Sequence, residues 1–308
     1  MTSTNSAQIL SIYEFLKLVP DEKSAIKYLA NRRWKFGRVC PYCHSDSTSE
    51  VKNEKPMPYR CCECRKHFSI RTGTIFAESR LPLHKWLFAI YLMTSARKGI
   101  SSVQLSKELG VTQKTAWFLE HRIREACAGR GGLLDGEIEA DETYIGGKEK
   151  NKHRSKRMKA GRGAVGKQAV FGMKQRDGKV KAFPIMGTEK IDLQSAIVEH
   201  VKRNATLYTD SHKSYEGIKG YKHTSVKHSE GEYVKDMAHT NGVESFWALL
   251  KRGYYGTFHH MTFKHLHRYV NEFATRHNLG TDTMHCIGEI TDNMIGSRLT
   301  YSQLINAN

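Results

Sequence analysis

Two pairs of cysteines constrain the fold of this chain more tightly than any other feature of its sequence. Cys40-Pro-Tyr-Cys43 and Cys61-Cys-Glu-Cys64 each leave two residues between their thiols, and the pairs are separated by a gap within the roughly 15 to 20 residues of a four-cysteine zinc site. Four such thiolates bind one tetrahedral Zn²⁺ at about 2.3 Å. Unpaired buried thiols or a disulfide are the alternatives. We predict one structural zinc on Cys40, Cys43, Cys61 and Cys64.

The short length of the segment around these pairs indicates that the zinc would be structural. A module spanning 36–72 is too short to bury much apolar core, so the metal would supply its folding free energy. Cys62 is a second candidate for the third ligand, but only Cys61 keeps the two-residue gap. Cys127 and Cys286 stand alone in the sequence, and we expect them to be ordinary core or surface residues.

The charge of the chain indicates a polyanionic partner. Its 308 residues include 49 Lys and Arg against 31 Asp and Glu, a formal net charge of +18, and 39% of the residues are hydrophobic, which is enough for a folded core. An anionic membrane surface is the competing partner, but no apolar run approaches the ~20 residues that span a bilayer. The start of the chain lacks the regions of a signal peptide. We therefore expect a cytoplasmic protein that binds nucleic acid and no membrane.

The region that follows the cysteines has the pattern of a DNA-binding helical module. A helix is predicted at 83–93, and a helix-turn-helix at 102–121, where Gly110 supplies the tight turn. The start of the second helix is where base edges are read. Helical hairpins with a glycine turn also occur as plain core, but the net charge and the cysteine module favour DNA binding. The predicted reading residues are Gln113, Lys114 and Thr115.

Two aspartates lie on predicted strands in the second half of the chain. Asp141 lies within an apolar, β-prone run at 137–147, and Asp210 ends a second such run at 205–210. A single aspartate is more often a solvated surface group than a functional one. The strand positions of these two make them candidates for one shared site.

A helix predicted at 239–252 carries the third acid. Glu244 and Lys251 fall two turns apart on one flank of this helix, and Asn241 is a plausible N-cap. The other flank is apolar and can be buried. Its residues are Val243, Phe246, Trp247 and Leu250.

Together these three acids match the needs of a phosphoryl-transfer site. Carboxylate oxygens are hard ligands for Mg²⁺ or Mn²⁺, and two such ions about 3.5 to 4 Å apart clamp the attacking and leaving oxygens of an in-line displacement. Without metal, clustered carboxylates would repel one another and raise their own pKa values. We predict that Asp141, Asp210 and Glu244 bind two divalent ions.

The order of the remaining runs predicts an RNase H-like domain. The expected order is three strands, a helix, a strand, a helix, a strand and further helices, with Asp177-Gly178 as a hairpin turn and the last strand within 223–234. The whole chain is then a multidomain protein of the α+β and α/β classes, with a mixed sheet flanked by helices in its catalytic part. Its expected parts are N-terminal helices at 1–35, a zinc ribbon at 36–72, the helix-turn-helix region at 73–130, the catalytic domain at 131–280 and a C-terminal helical tail at 281–308.

A strongly basic run follows the first predicted strand. Residues 148–167 contain nine Lys and Arg against the single acid Glu149. Such a run is usually a solvated loop, and here its expected added role is contact with phosphate. A linker is predicted just before the catalytic region, at 129–132. The candidate phosphate-binding residues in the run are Lys156, Arg157, Lys159 and Arg162.

The motifs taken together resemble a known family, the bacterial insertion-sequence transposases of the ISXO-type group. These join a zinc ribbon to an RNase H-like domain with an Asp-Asp-Glu site. The resemblance covers nearly the whole chain. It rests on Arg33-Trp34, the cysteine pairs, Gly73-Thr74-Ile75-Phe76, Leu81-Pro82-Leu83 to Lys85-Trp86, Asp141-Glu142 to Tyr144, Gly146-Gly147, Thr209-Asp210, Asn241 to Glu244-Ser245-Phe246, Leu250-Lys251-Arg252 and Gly256-Thr257-Phe258-His259.

The resemblance implies roles for single residues. Asp141, Asp210 and Glu244 correspond to the metal ligands of the family, and Lys251 with its neighbour Arg252 would contact DNA near the site. The implied activity is metal-dependent cleavage at inverted-repeat ends, which releases 3′-hydroxyls, followed by their transfer to phosphodiesters of target DNA. Because two ends must be brought together, a homodimer or larger assembly is expected.

Two other classes of protein fit parts of the pattern. A DNA-binding regulator needs the ribbon and the helix-turn-helix but not an acid triad, and it would bind DNA without cleaving it. An RNase H-like nuclease or resolvase would hydrolyse DNA without joining it. Joined products on a substrate that carries element ends separate these alternatives.

Overall fold

The computed structural model describes residues 9–128, 131–158, 164–176, 178–210, 212–226 and 239–306, and of Lys150 and Lys156 it describes the backbone alone. The helices are α1 (Ile12–Leu18), α2 (Glu22–Arg33), α3 (Leu83–Ser95), α4 (Ser102–Leu109), α5 (Gln113–Ala126), α6 (Lys190–His200), α7 (Asn241–Gly253), α8 (Phe263–Leu279), α9 (Thr283–Met294) and α10 (Tyr301–Asn306). The strands are β1 (Thr48–Glu50), β2 (Tyr59–Cys61), β3 (His67–Phe68), β4 (Glu137–Ile145), β5 (Gln168–Gln175), β6 (Val180–Ile185), β7 (Thr206–Asp210) and β8 (Lys222–Val226).

The chain divides into two compact units. The first takes its residues from 1–96, 100–127 and 279–308, and the second from 97–99 and 128–278. The first unit therefore contains the cysteine pairs and the predicted helix-turn-helix, and the second contains the predicted catalytic acids.

A single apolar core holds the helices of the first unit together. Trp86 and Ile90 of α3 are almost fully buried in it, and so are Ile290 and Met294 of α9. The C-terminal helix α10 adds Leu304 to the same core. Burial of large side chains such as these contributes about 1.5 to 3 kcal/mol each, so the C-terminal helices are an integral part of this unit.

The cysteine pairs lie on a small three-stranded antiparallel sheet within the first unit. β2 is its central strand, with β1 on one side and β3 on the other. The apolar residues buried beside the thiols are few, and Phe68 is the largest that is fully buried. This matches the expectation that a module of this length buries little core.

The predicted glycine turn joins α4 to α5. Gly110 has φ 61° and ψ 48°, the left-handed conformation that glycine adopts without strain, and its N–H donates to backbone carbonyls of α4. The Thr112 hydroxyl accepts the N–H of Thr115 at 3.2 Å and caps the start of α5. The two helices and the tight turn therefore have the local geometry that the sequence predicts.

The second unit is built on a five-stranded mixed sheet with the strand order β6-β5-β4-β7-β8. β4 pairs antiparallel with β5, and β5 pairs antiparallel with β6. On its other side β4 pairs parallel with β7, and β7 pairs parallel with β8. Three strands that form a meander, followed by two parallel strands on the opposite edge, make the RNase H-like mixed sheet that was predicted.

The two faces of this sheet are covered by different helices. On one face, Leu193 and Ile197 of α6 pack with Ile138 of β4. On the other face, the apolar flank of α7 packs with α8 and with Val170 of β5, and Phe246 is almost fully buried there. Because successive side chains of a strand point to opposite faces, the even-numbered residues of β4 face α6 and the odd-numbered residues face α7.

Two local predictions are wrong. Where a helix was expected between β7 and β8, residues 212–221 contain only a short 3₁₀ turn, Lys213–Tyr215. Gly217 and Gly220 have φ of 71° and 85°, which ends any helical path. Asn241 was expected to be the N-cap of α7, but it is already helical, and Thr240 occupies the N-cap position.

Some predictions lie outside the described residues. Lys159 and Arg162 of the basic run, residues 129–130 of the linker and Asp177 of the hairpin turn are among them, as is the part of the last predicted strand beyond Val226. The side chain of Lys156 is also outside them. No helix in the described ranges is long and apolar enough to cross a membrane.

Candidate active site

Asp141 lies near the middle of β4, the central strand of the larger sheet. It faces α7 and is opposite Gly172 of β5 in the antiparallel register. Gly172 has no side chain, and a Cβ at this position would clash with the ring of Trp247. The glycine therefore leaves the space through which an indole ring reaches the aspartate.

Trp247 of α7 fills that space and binds Asp141 directly. Its indole N–H donates a hydrogen bond of 2.9 Å to Asp141 Oδ2, while the ring is 3% exposed and packs in the apolar core under α7. Buried Trp side chains usually need a partner for this N–H. The contact therefore satisfies the indole and fixes α7 next to the aspartate.

Asp210 is the last residue of β7, the parallel neighbour of β4. Glu139 of β4 pairs with Tyr208 of β7, so continuing that register by two residues places Asp210 level with Asp141. The backbone N–H of His212 donates to Asp210 Oδ1 at 3.0 Å. The two predicted catalytic aspartates thus lie on adjacent strands at the same height of the sheet.

The electrostatic state of Asp141 reflects this crowding. Burial is the largest cause that raises its pKa, to about 7, and the nearby carboxylates of Glu142 and Asp210 raise it further. The hydrogen bond from Trp247 acts in the opposite direction because it favours the charged form. The described residues around Asp141 therefore concentrate negative charge in a partly dehydrated place, which a divalent cation would relieve.

Glu142 points to the opposite face of β4 from Asp141. Its Oε2 accepts the hydroxyl of Tyr215 at 2.6 Å, and Tyr215 is fully buried. Burial raises the pKa of Glu142, and the Tyr215 hydrogen bond opposes that rise. This contact ties the connection after Asp210 to the central strand, so it supports the site without belonging to the predicted ligand set.

Glu244 lies on α7, almost one turn before Trp247. Its side chain is exposed, and Oε1 accepts the hydroxyl of Thr240 at 2.8 Å. Among the described residues, one group of three or more His, Cys, Asp or Glu side chains has all of its ligand atoms within 4.8 Å of one another, and that group is the cysteine cluster. Asp141, Asp210 and Glu244 therefore do not form a compact ligand set in this structure. Glu244 is therefore placed by its helix, while its carboxylate is directed to Thr240.

Lys251 and Arg252 lie in the last turn of α7. Lys251 is partly buried and Arg252 is exposed. They follow Glu244 by about two turns of an α-helix. Cations near the C-terminus of a helix also complement its dipole, so their position has a structural benefit besides the predicted contact with DNA.

Sequence reasoning missed Glu139, a buried acid on the same face of β4 as Asp141. It is 1% exposed, and its Oε2 accepts the backbone N–H of Val243 at 2.9 Å. A signal was available, because the alternation of a strand puts Glu139 and Asp141 on one face, and an acid on the covered face of a central strand needs a partner. The partner itself is distant in sequence and could not be predicted.

The four predicted zinc ligands lie together beside the small sheet, whose strand β2 ends at Cys61. Their sulfur atoms are all within 4.8 Å of one another, with Cys40 3.7 Å from Cys64 and Cys43 3.5 Å from Cys61. Cys62 is exposed and lies outside the group. Four converging thiols fit the tetrahedral S₄ site of a structural Zn²⁺.

The thiols of this cluster have unequal affinities for protons. Burial acts to raise the pKa of Cys61, but hydrogen bonds from the backbone N–H groups of Cys64 and Glu63, and from the Cys43 thiol, bring it down to about 7. At Cys64 a backbone hydrogen bond from Lys66 acts to lower the pKa. Burial and the neighbouring thiols act in the opposite direction and raise the pKa of Cys64 to about 11. Because these thiols interact with one another, we expect them to lose their protons together when a metal ion binds.

Comparison with known proteins agrees with both halves of the chain. Residues 133–278 match the ISXO2-like transposase domain, and residues 20–67 match the transposase zinc-ribbon domain. Residues 133–278 are therefore an ISXO2-like transposase domain, preceded by a transposase zinc ribbon. The resemblance read from the sequence motifs is thereby confirmed.

Two individual proteins show similarity to this chain. An uncharacterized protein in the transposable element ISH50 of Halobacterium salinarum is 29% identical over 250 residues, which cover 77% of this chain and 84% of that protein. A chain of the simian T-cell lymphotropic virus intasome in complex with PP2A regulatory subunit B56 gamma matches 62% of this chain at 15% identity and a TM-score of 0.30. The match spans 65% of that viral chain, which is less than two thirds of its length.

The predicted base-reading residues all lie on the first turn of α5 and are exposed. Gln113 Nε2 donates to the hydroxyl of Ser102 at 2.8 Å, and the Lys114 ammonium lies 4.9 Å from the centre of the Tyr301 ring. The Thr115 hydroxyl is 2.9 Å from that of Thr112. In the absence of DNA these side chains have internal contacts that are weak enough to be exchanged for contacts with a base edge.

The described part of the basic run contains two short 3₁₀ turns, Glu149–Asn151 and Arg154–Lys156. Glu149 pairs with Lys152 and accepts the N–H of Met158 at 3.1 Å. Arg157 Nε donates to the carbonyl of Lys152 at 2.9 Å and remains exposed. The run is thus partly ordered by its single acid, and its exposed cations remain predicted phosphate contacts.

Proposed function

We propose that this protein binds the ends of an insertion sequence and catalyses metal-dependent cleavage and transfer of DNA strands through Asp141, Asp210 and Glu244. The observation that carries the proposal is the placement of two aspartates level on adjacent parallel strands, with α7 fixed to one of them by Trp247. The match of residues 133–278 to the ISXO2-like transposase domain supports it independently.

The donor set fits Mg²⁺ or Mn²⁺. Asp141 and Asp210 offer hard carboxylate oxygens. Burial and the neighbouring carboxylates of Glu142 and Asp210 raise the pKa of Asp141, so a divalent cation would favour its charged form. Two divalent ions bound at this place would stabilise the charge that develops on the reacting phosphate. Glu244 would complete the set once its carboxylate leaves Thr240.

The other residues of α7 have a different task. Lys251 and Arg252 follow Glu244 on the same helix, and a lysine acts on phosphate as a point charge, not as a metal ligand. We propose that they hold the DNA backbone beside the acids. Trp247 keeps Asp141 oriented, and the tyrosine bound to Glu142 restrains the connection that follows Asp210.

Recognition of the element ends is assigned to the first unit. Two parts of this unit would bind end DNA: the zinc ribbon, with one structural Zn²⁺ on its four cysteines, and the start of α5, with Gln113, Lys114 and Thr115. The basic run would contact DNA phosphate regardless of sequence. Its residues for this contact are Lys156, Arg157, Lys159 and Arg162. Joining two ends requires at least two copies of the site. We therefore propose a homodimer or larger assembly on DNA.

The test uses the wild-type protein and a labelled duplex that carries an end sequence taken from the DNA flanking the gene. With Mg²⁺ or Mn²⁺ and a supercoiled plasmid, the expected product is the labelled end joined covalently to plasmid DNA. A duplex with a scrambled end is the control and should not be joined. Hydrolysis without joining would assign the site to a nuclease instead, and binding without any strand cleavage would assign the chain to the DNA-binding regulators.

A further inference from the structure

The buried carboxylate of Glu139 has no role in the proposed ligand set, yet it lies on β4 two residues before Asp141 and on the same face. It is 1% exposed. Burying an acid costs free energy unless it is hydrogen-bonded or paired with a cation. Its contacts therefore indicate why an acid occupies this position.

The shortest of the contacts described for Glu139 is with the backbone of α7. Glu139 Oε2 accepts the N–H of Val243 at 2.9 Å in a buried hydrogen bond. Val243 belongs to the first turn of α7, whose N–H groups have no partner within the helix. Thr240 occupies the N-cap position but makes no side-chain capping bond to the backbone. Glu139 of β4 therefore accepts a backbone hydrogen bond that the side chain of a helix's own N-cap residue normally accepts.

The surroundings are shaped for this contact. Gly242 precedes Val243, and a Cβ there would lie 2.7 Å from Glu139 Oε2, so glycine permits the helix end to approach the carboxylate. His239 Nδ1 lies 3.3 Å from the other carboxylate oxygen, and Arg176 Nε lies 3.9 Å from it. Negative charge at a helix N-terminus is also favourable to the helix dipole.

β4 and α7 are therefore joined at two points. Glu139 binds the backbone of Val243, and Asp141 accepts the indole N–H of Trp247 one turn later along α7. A single hydrogen bond would let the helix pivot about it, whereas two bonds separated by a helical turn fix its position and its rotation. Glu244 lies between the two attachment points.

We propose that Glu139 is a positioning residue, which fixes the N-terminal end of α7 on β4 and so sets where Glu244 stands relative to Asp141. The inference rests on the proposed function in one respect, since it assigns Glu244 to the metal site. The attachment of α7 by Glu139 is independent of that assignment and is tested separately.

Three variants of the full-length protein isolate this role. Glu139→Ala removes the acceptor, while Glu139→Gln keeps a side-chain oxygen for the Val243 N–H and loses the charge. Glu137→Ala is the matched control, because Glu137 lies on the same strand and face and also contacts Arg176, at 3.0 Å, but makes no contact with α7 among those described.

The first measurement is hydrogen exchange of peptides that cover 241–247, which needs no activity. The proposal predicts that Glu139→Ala speeds exchange in this segment by about ten-fold or more, because the anchored end of the helix opens locally. Glu139→Gln and Glu137→Ala should retain the protection of the wild type. Unchanged exchange in Glu139→Ala would overturn the proposal, and so would equal loss of protection in Glu139→Gln.

The second measurement is the binding of Mn²⁺ by electron paramagnetic resonance, followed by strand transfer. Partners that orient metal ligands typically change affinity by about 10 to 100-fold, so Glu139→Ala should weaken Mn²⁺ binding within this range and Glu139→Gln should restore it. The double variant Glu139→Ala/Glu244→Gln should bind no more weakly than Glu244→Gln alone, because the two changes act through one group. Additive losses would overturn the link to Glu244.

The two measurements separate this proposal from the proposed function. If the wild type bound no Mn²⁺ and joined no DNA, the proposed function would fail, and the exchange data would still decide whether Glu139 anchors α7. If Glu139→Ala does not fold, Glu139→Gln decides, since the proposal requires that variant to fold with a protected α7. A misfolded or unprotected Glu139→Gln protein would contradict it.

Discussion

Trp247 donates its indole N–H to Asp141 across 2.9 Å, from a ring that is almost completely buried between α7 and the glycine opposite the aspartate. The apolar flank of the helix and the polar side of the site therefore meet in one residue. Packing of α7 and orientation of the Asp141 carboxylate, which we propose to be catalytic, are coupled at this contact.

Replacing Trp247 by Phe tests this coupling, because it keeps an aromatic ring against Gly172 and removes the N–H. We expect strand transfer to fall by about ten-fold, the lower end of the effect of losing a partner that orients a ligand, with the fold retained. Trp86→Phe is the matched control. It also removes an indole hydrogen bond, to Ser79 at 3.2 Å in the other unit, and should leave the rate of joining per folded molecule unchanged. Equal rates for both variants would contradict the role of Trp247.

The raised pKa of Asp141 predicts a pH dependence of stability. Its pKa is about 7 in the folded protein, mainly because of burial, against about 3.9 in an unfolded chain. Between these values the metal-free folded protein binds a proton that the unfolded chain has released, so stability falls as the pH rises. The contribution is fully present below about pH 4 and is lost once the pH has risen through about 7.

The Asp141→Asn protein has no carboxyl group at this position, so it does not lose stability in this way as the pH rises. Its free energy of unfolding, relative to that of the wild type, should therefore increase between about pH 4.5 and pH 8 in urea unfolding without Mg²⁺ or Mn²⁺. Saturating Mn²⁺ should reverse the trend for the wild type alone. A difference between the two proteins that is independent of pH would show that Asp141 does not titrate in this range.

Zinc content tests the cysteine cluster. Metal analysis of protein never exposed to chelator should find about one zinc per chain, since four thiolates complete one tetrahedral shell. Cys61→Ser should lose the metal and unfold the ribbon, while Cys62→Ser, at the exposed neighbouring thiol, should keep it. Zinc-free wild-type protein with an ordered ribbon would contradict the prediction.

Recognition of end DNA should divide between two surfaces. Replacing Gln113 and Lys114 by Ala should reduce the preference for end DNA over random DNA, with each lost base contact costing about 1 to 3 kcal/mol. Replacing Arg154 and Arg157 of the basic run by Ala should weaken both complexes equally and flatten their salt dependence. Gel-shift titrations at several salt concentrations distinguish the two. The same behaviour from both pairs of substitutions would contradict the division.

Local sequence patterns predicted much of this structure. The alternation that marked the strand around Asp141, and the helical spacing that marked the apolar flank with Trp247, both depend on residues close together in the chain. The cysteine spacing predicted a cluster for the same reason, because each pair is a local unit. The strand positions of Asp141 and Asp210 predicted that they could share one site, whereas their level placement became visible only in the parallel register of β4 and β7.

Contacts between distant segments could not be predicted in this way. Glu139 binds Val243, more than a hundred residues later, and no local pattern relates the two. Arg32 of α2 pairs with Asp292 of α9 at 2.7 Å, and no local pattern relates these two residues either. Between β7 and β8 a helix was expected, but the fully buried Tyr215 fixes an irregular connection instead.

The acids of α7 and the sheet should act as one unit. Glu244→Gln and Asp210→Asn should each abolish cleavage and joining, and combining them should add little, because residues that serve one function are not additive. Lys251→Ala should differ and retain partial joining, with weaker positioning of the end, since a lysine is not a metal ligand. A Lys251→Ala protein as inactive as Glu244→Gln would contradict the division of tasks along α7.

The most direct test of the central claim is strand transfer of a labelled, pre-cut end into plasmid by Asp141→Asn protein, with gel-shift binding measured on the same preparation. The substitution keeps the shape of the side chain and removes the charge that holds a divalent ion. The predicted result is end binding like that of the wild type and no joined product in Mg²⁺ or Mn²⁺, whereas the wild type joins in both and fails in Ca²⁺, which binds oxygen ligands with longer and looser geometry. Full joining by Asp141→Asn protein, or joining by the wild type without divalent ions, would contradict the account.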